Sequence, residues 1–302
     1  MAPPRPKLHN VHAAGLHGGR NLGLKVGPVQ KVGDHRYPHG LAPLLRLNLN
    51  NLGDIWRQSG ELDKAETAYQ QAEVIARKIG DKDATAYVLS GMGDLALDRG
   101  DLALSRKRYE EALALRTEAG EKQTAAESRV SLAKLAIEEG HASVAEASAR
   151  QCKQEFQQEL QKDDELAASL VIIDALLAQG KQSEVAKEIE ADQPLGKQSQ
   201  NRFLRLQFEV VSGRVILESG HPEAAGPVLR GVNREAQRYG FAGIGLATEL
   251  ALAEFATKTK NGAEAQREFR ALQRSASSKS FGLIARKASQ ESSDLRKSSG
   301  TM

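Results

Sequence analysis

Apolar side chains recur along this chain at helical intervals, in paired stripes on either side of a tight turn. Leu49, Leu52, Ile55 and Trp56 share one face of a predicted first helix, Ser59-Gly60-Glu61 form the turn, and Ala65, Tyr69, Ala72 and Ile75 mark a second helix. The block then returns every 40 residues, with glycine at 60, 100, 140, 180 and 220. Five positions after each turn stand Ala65, Ser105, Ala145, Val185, Ala225 and Ala265, and four further on Tyr69, Tyr109, Ala149, Ile189, Leu229 and Phe269. Three steps later come Ala72, Ala112, Cys152, Asp192, Val232 and Leu272, of which Asp192 is the misfit. Ahead of the glycine the period holds too, as Leu52-Gly53, Met92-Gly93, Leu132-Ala133, Ile172-Ile173, Ser212-Gly213 and Leu252-Ala253.

The columns have a physical reading. The glycine just past a helix end can take the left-handed conformation that closes a helix C-terminus without a Cβ penalty. Small residues flanking a tyrosine let two helices approach closely while the ring fills the gap. A lone hairpin of this kind cannot bury its apolar face, so neighbours must stack. The predicted fold is therefore all-α, an array of about six helical hairpins over residues 43–278, in units of about 46–85, 86–125, 126–165, 166–205, 206–245 and 246–278. Phe281, Ile284, Ala285 and Ala288 then predict a capping helix over 279–296, followed by a tail at 297–302. In the fourth unit Pro194 and Gly196 predict a second helix cut short near Ala191.

Composition agrees with helix: aromatics are 4% of the chain and β-branched residues form no alternating runs. The formal charge of +3 is uneven. Residues 1–42 carry Arg5, Lys7, Arg20, Lys25, Lys31 and Arg36 against Asp34, a local +5 that leaves the rest at −2. A nearly neutral array gives no electrostatic reason to expect a nucleic-acid or membrane partner. Residues 1–42, rich in Gly, Pro and His and without hydrophobic period, predict a disordered basic segment, or the product of an upstream start. Its basic arm leaves a nucleic-acid accessory role as the weakest reading. His9, His12, His17, His35 and His39 lack a partner cysteine or an ordered scaffold, so no metal site is expected there. His141 and His221 follow turn glycines and predict exposed turn residues. Cys152 is the single cysteine and occupies a packing column, so neither a disulfide nor a nucleophile is expected. No apolar run approaches the ~18 residues of a membrane span. With no catalytic motif and no cofactor motif, the expectation is a cytoplasmic protein that is not an enzyme.

Leu49, Leu52-Gly53, Trp56, Gly60, Ala65, Tyr69 and Ala72, followed by Leu89, Met92-Gly93, Gly100, Tyr109 and Ala112, resemble the tetratricopeptide repeat (TPR) signature, with Trp56 where Tyr is usual. The 40-residue unit is longer than the common one of ~34. In this it is similar to the arrays of kinesin light chains and to the C-terminal TPR regions of bacterial regulators and eukaryotic-like Ser/Thr kinases. The resemblance implies a right-handed α-α superhelix whose concave groove is lined by the first helix of each hairpin. It further implies that the column after Gly53 faces that groove: Asp54, Asp94, Lys134, Asp174, Arg214 and Glu254, charged at every position. A solvated concave face that merely tolerates charge explains the column equally well. Asn50 and Asn51 resemble the asparagines with which kinesin light chains hold a peptide backbone. The expected groove residues are Asn50, Asn51, Asp54, Asp94, Lys134, Asp174 and Arg214, and the expected role is a scaffold or adaptor that binds a peptide or protein in bacterial signalling. The alternative is a detached regulatory TPR region of such a kinase or transcriptional regulator, without activity of its own.

Overall fold

The computed structural model describes residues 41–299, apart from 220–221 and 260–261. Residues 1–40, with the five histidines and most of the basic segment, lie outside the described residues, as does His221. Among the described residues there are thirteen α-helices and no strand. The first hairpin is α1 (Leu41–Ser59) and α2 (Leu62–Ile79), the second α3 (Lys82–Arg99) and α4 (Leu102–Ala119), the third α5 (Lys122–Glu138) and α6 (Ala142–Gln158). The fourth is α7 (Lys162–Ala178) and α8 (Gln182–Gln198), the fifth α9 (Arg202–Glu218) and α10 (Pro222–Tyr239), and the sixth α11 (Ala242–Thr259) and α12 (Gly262–Ser278). A single helix, α13 (Gly282–Ser299), follows. The expected all-α superhelical array is what the chain forms.

Two limits move outward. Helix α1 starts at Leu41, inside the segment expected to lack structure, because Pro43 sits in its first turn, where a missing N–H costs nothing. Helix α13 continues to Ser299, past the start of the expected tail.

Most of the described turns are built on the same pair of backbone hydrogen bonds. At the first, Gly60 N donates to Arg57 O and Glu61 N to Trp56 O, which caps the helix C-terminus while Gly60 sits at φ 84°. The same device closes the turns between hairpins at Gly80, Gly120 and Gly240, so the left-handed position recurs at 20-residue steps and not only every 40, with the turn at 199–201 as the exception. Leu160 (φ 59°) and Ser280 (φ 62°) occupy it without being glycine.

Between the hairpins the tyrosine column packs as its neighbours require. A Cβ on Gly53 would lie 2.5 Å from the Tyr69 ring and one on Gly91 2.7 Å from it, so the ring fills a slot that only glycine leaves open. Tyr69, Tyr109, Phe156 and Phe269 are fully buried, each worth ~1.5–3 kcal/mol of apolar burial.

Pro194 does not end its helix. Helix α8 runs through it to Gln198, because tertiary contacts hold the segment on both sides of the proline. The misfit Asp192 is 2% exposed and accepts from Lys153 Nζ of the preceding hairpin at 2.9 Å through both oxygens. Beyond the proline, the Phe208 ring lies where a Cβ on Gly196 would be, 2.4 Å away.

The array does not stay open. Helix α1 touches α11, and α13 reaches back to α3. Tyr69, Met92 and Leu95 of the first two hairpins share one apolar core with Leu246, Leu250, Phe269, Phe281 and Ala285. The odd-numbered helices form the inner layer of this closed turn.

Candidate functional site: a chamber lined by the inner helices

The inner helices surround a chamber of about 420 Å³. Its apolar wall includes Val130 of α5, Leu170 and Val171 of α7, Phe203, Val210 and Val211 of α9, and Ile244 and Leu250 of α11. Helix α13 contributes Leu283, Ile284 and Lys287. The charged part is supplied by Arg57, Asp94, Asp98, Lys134, Glu138, Asp174, Arg214 and Lys287.

These charges are arranged as a network with one loosely held member. Arg57 donates to Asp98 at 3.0 Å and lies 3.2 Å from Asp94. The Tyr109 hydroxyl donates to Asp94 Oδ1 at 2.5 Å. Burial would raise the Asp94 pKa, but Arg57, Lys134 and the tyrosine hydrogen bond outweigh it and hold the carboxyl below its ordinary value. For Asp98 and Asp174 burial wins over the nearby cations and the pKa is raised. These three carboxylates keep 25–39% of their side-chain surface, and that surface faces the chamber. Arg214 pairs with Glu254 at 3.1 Å and stands 3.8 Å from Asp174. Lys134 has no hydrogen bond or ion pair within range among the described residues, and it faces Asp94, Asp98 and Asp174 only through longer-range attraction.

Of the seven groove residues expected from the sequence, Asp94, Lys134, Asp174 and Arg214 are brought together in the chamber wall. Asn50, Asn51 and Asp54 are not among its lining residues. Asp54 is engaged by the Tyr69 hydroxyl at 2.6 Å and by Asn50 Nδ2 at 3.4 Å, an arrangement that anchors the tyrosine of its own hairpin. The sequence reading missed Arg57, Asp98, Glu138, Lys287 and the apolar wall. Arg57 carried a signal, since its column is otherwise Leu97, Ile137, Leu177, Leu217 and Thr257, none of them charged.

The remaining candidate chemistry is quiet. Cys152 is fully buried and its thiol is pushed up to about 11 by burial, so it is a poor nucleophile. His141 is exposed at the start of α6. Among the described residues no group of His, Cys, Asp and Glu could hold a metal ion, and no helix is long and apolar enough to cross a membrane.

Hairpins of this length, stacked with their first helices inward around a tyrosine-glycine contact, agree with a family comparison that matches residues 45–283 to the MalT-like TPR region. The chain belongs to that TPR family. Among solved structures, the TPR array is similar to a Rap protein complexed with Competence and Sporulation Factor. The TM-score is 0.59 with 13% identity, over 84% of this chain and 75% of that one, a likeness of fold alone. No curated protein matches the TPR chain.

Proposed function

We propose that this TPR array is a non-catalytic scaffold whose chamber holds a short peptide or a protein segment. The observation that carries the reading is the chamber wall, where charges of both signs stand beside a continuous apolar surface. A peptide has the matching chemistry: apolar side chains for Val171, Val210 and Leu250, and polar groups for Lys134 and Asp174. The volume of about 420 Å³ lies toward the small end of ligand sites, ~300–1,000 Å³, which suits a few residues and not a whole helix. A cytoplasmic role in bacterial signalling is the context proposed, supported by the complex that the Rap protein makes with a sporulation factor.

Lys134 makes the cleanest probe because it holds no hydrogen bond that the fold needs. Lys134→Ala is expected to weaken capture of the partners pulled down by the wild-type chain at least tenfold, about 1.4 kcal/mol, with helix content and melting temperature nearly unchanged. An identical set of partners at identical strength would end the chamber assignment.

The family's description as a region supports a second reading, in which the array is the regulatory part of a kinase or transcriptional regulator. Gene neighbourhood distinguishes the two: an adjacent catalytic or DNA-binding reading frame favours the second.

A further inference from the structure

The two ends of the array are finished differently. At the C-terminal end the start of α13 meets the end of α3, where a Cβ on Gly282 would lie 2.2 Å from the Arg99 carbonyl oxygen. Phe281 and, from α13 itself, Ala285 and Ala288 join the shared apolar core, while Arg286, Gln290, Glu291 and Asp294 face solvent. That is the polar outer face a terminal unit of a stacked array needs. Helix α1, at the other end, has the opposite character. Leu41, Leu44, Leu47, Leu52 and Ile55 are each 36–58% exposed, and they make up five of the twelve large apolar side chains exposed among the described residues. Asn48 and Asn51 are exposed between them.

In the next unit the same face is covered. The equivalents of Leu44, Asn48, Leu52 and Ile55 are Ala84, Val88, Met92 and Leu95 of α3, all buried. Val88, Met92 and Leu95 share one core with Leu62, Ala65, Tyr69 and Ala72 of α2, so this is the side on which an inner helix receives another helix. On α1 the face also carries no charge. Arg46 stands near Asp81, Asp54 accepts from the Tyr69 hydroxyl and Arg57 donates to Asp98, which turns every charged group of the helix toward its own array. A surface of this kind can meet its own copy across a twofold axis without like charges opposing each other. The pattern is moreover symmetric about the point between Leu49 and Asn50: Leu44 mirrors Ile55, Leu47 mirrors Leu52 and Asn48 mirrors Asn51. Two such helices running antiparallel set apolar residues level with apolar residues and amide against amide. Each amide both donates and accepts, and asparagine within an apolar interface fixes its register. Residues 1–40 offer no matching stripe, since their glycines and prolines interrupt any helical period. A head-to-tail contact would lay the leucines on the charged face of α13.

We propose that this face is the interface of a twofold dimer, in which α1 of one copy packs antiparallel on α1 of a second. The chamber takes no part in it, so the outcome is independent of the scaffold reading. One 19-residue helix per copy is ~28 Å long, which makes an interface of the small class, below ~1,200 Å². The dimer is therefore expected to form over the micromolar range. Sedimentation velocity of the full chain from about 1 to about 100 µM should show monomer giving way to dimer. A chain that stays monomeric throughout would leave the face to residues 1–40 or to a different protein, and would overturn the proposal. Leu44→Glu with Ile55→Glu is expected to weaken dimerisation at least tenfold at unchanged helix content, because the antiparallel pairing opposes the new acids. Leu44→Lys with Ile55→Lys should do the same. Mixing the two variants sets acid against lysine and is expected to restore a dimer containing one copy of each. Variants that dimerise as strongly as wild type, or a mixture that remains monomeric, would overturn the antiparallel pairing.

Discussion

At the scale of single residues, the 20-residue grid of left-handed positions is both the most regular feature of the chain and the one with the clearest local cost. Leu160 holds φ 59° with 76% of its surface exposed, so it pays for the turn without contributing to the core. A non-glycine residue there costs ~1–2 kcal/mol, and glycine gives back ~0.4–1 through its freer unfolded chain. Leu160→Gly is therefore expected to raise stability by about 0.5–1 kcal/mol in urea unfolding. A loss of stability would mean that Leu160 makes a contact outweighing its backbone. The same residue explains why half of the grid was illegible. Gly60, Gly100, Gly140 and Gly180 announced one set of turns, but Leu160 and Ser280 interrupt the other set, and Gly80, Gly120 and Gly240 did not stand out as a period.

At the scale of helices, the array tolerates exceptions when a neighbouring unit compensates. Asp192 stands in a column of small apolar residues, and sequence gave no reason for it. Its reason is Lys153, 39 residues earlier, which also binds Glu188 at 2.5 Å. Burial raises the Asp192 pKa, with Lys153 opposing the shift. Lys153→Ala would strand a carboxylate that is 2% exposed, at an expected cost of about 3–5 kcal/mol in chemical unfolding at pH 7. The double variant Lys153→Met with Asp192→Val should recover most of that loss, because an apolar pair of similar volume has no desolvation penalty. A single variant within 1 kcal/mol of wild type would show that the pair is dispensable. Pro194 teaches the complementary lesson: a local helix-breaking signal was overridden by the ion pair before it and the Phe208 contact after it, neither of which a local reading can see.

At the scale of the whole molecule, buried charges make stability depend on pH. Glu127 of α5 is raised to about 7, chiefly by burial and further by Asp164 and Asp83, while Arg116 opposes the shift. The folded state thus holds this proton more tightly than the unfolded chain, whose glutamate titrates near 4.5. The resulting stability is complete below about pH 4.5, declines as pH rises through the interval to about 7, and is gone above it. Glu127→Gln should accordingly gain more over wild type at pH 8 than at pH 5, by about 1–3 kcal/mol. Equal differences at the two pH values in urea titrations would refute the assignment. The stacked architecture itself was legible, because every unit repeats its apolar columns, and so were four of the chamber's charges. The closed shape was not, since it depends on residues such as Arg57 and Gly282 that depart from their columns once each and meet partners far along the chain.

That closed shape makes the molecule a counter of its own repeats. An open solenoid can gain or lose a hairpin and remain a solenoid, merely longer or shorter. Here Gly282 must land on Arg99, and the rotation accumulated over six hairpins is what delivers it there. Inserting or excising one hairpin would leave the last helix facing empty water or driven into the wrong turn, so unit number is specified by geometry as firmly as any side chain.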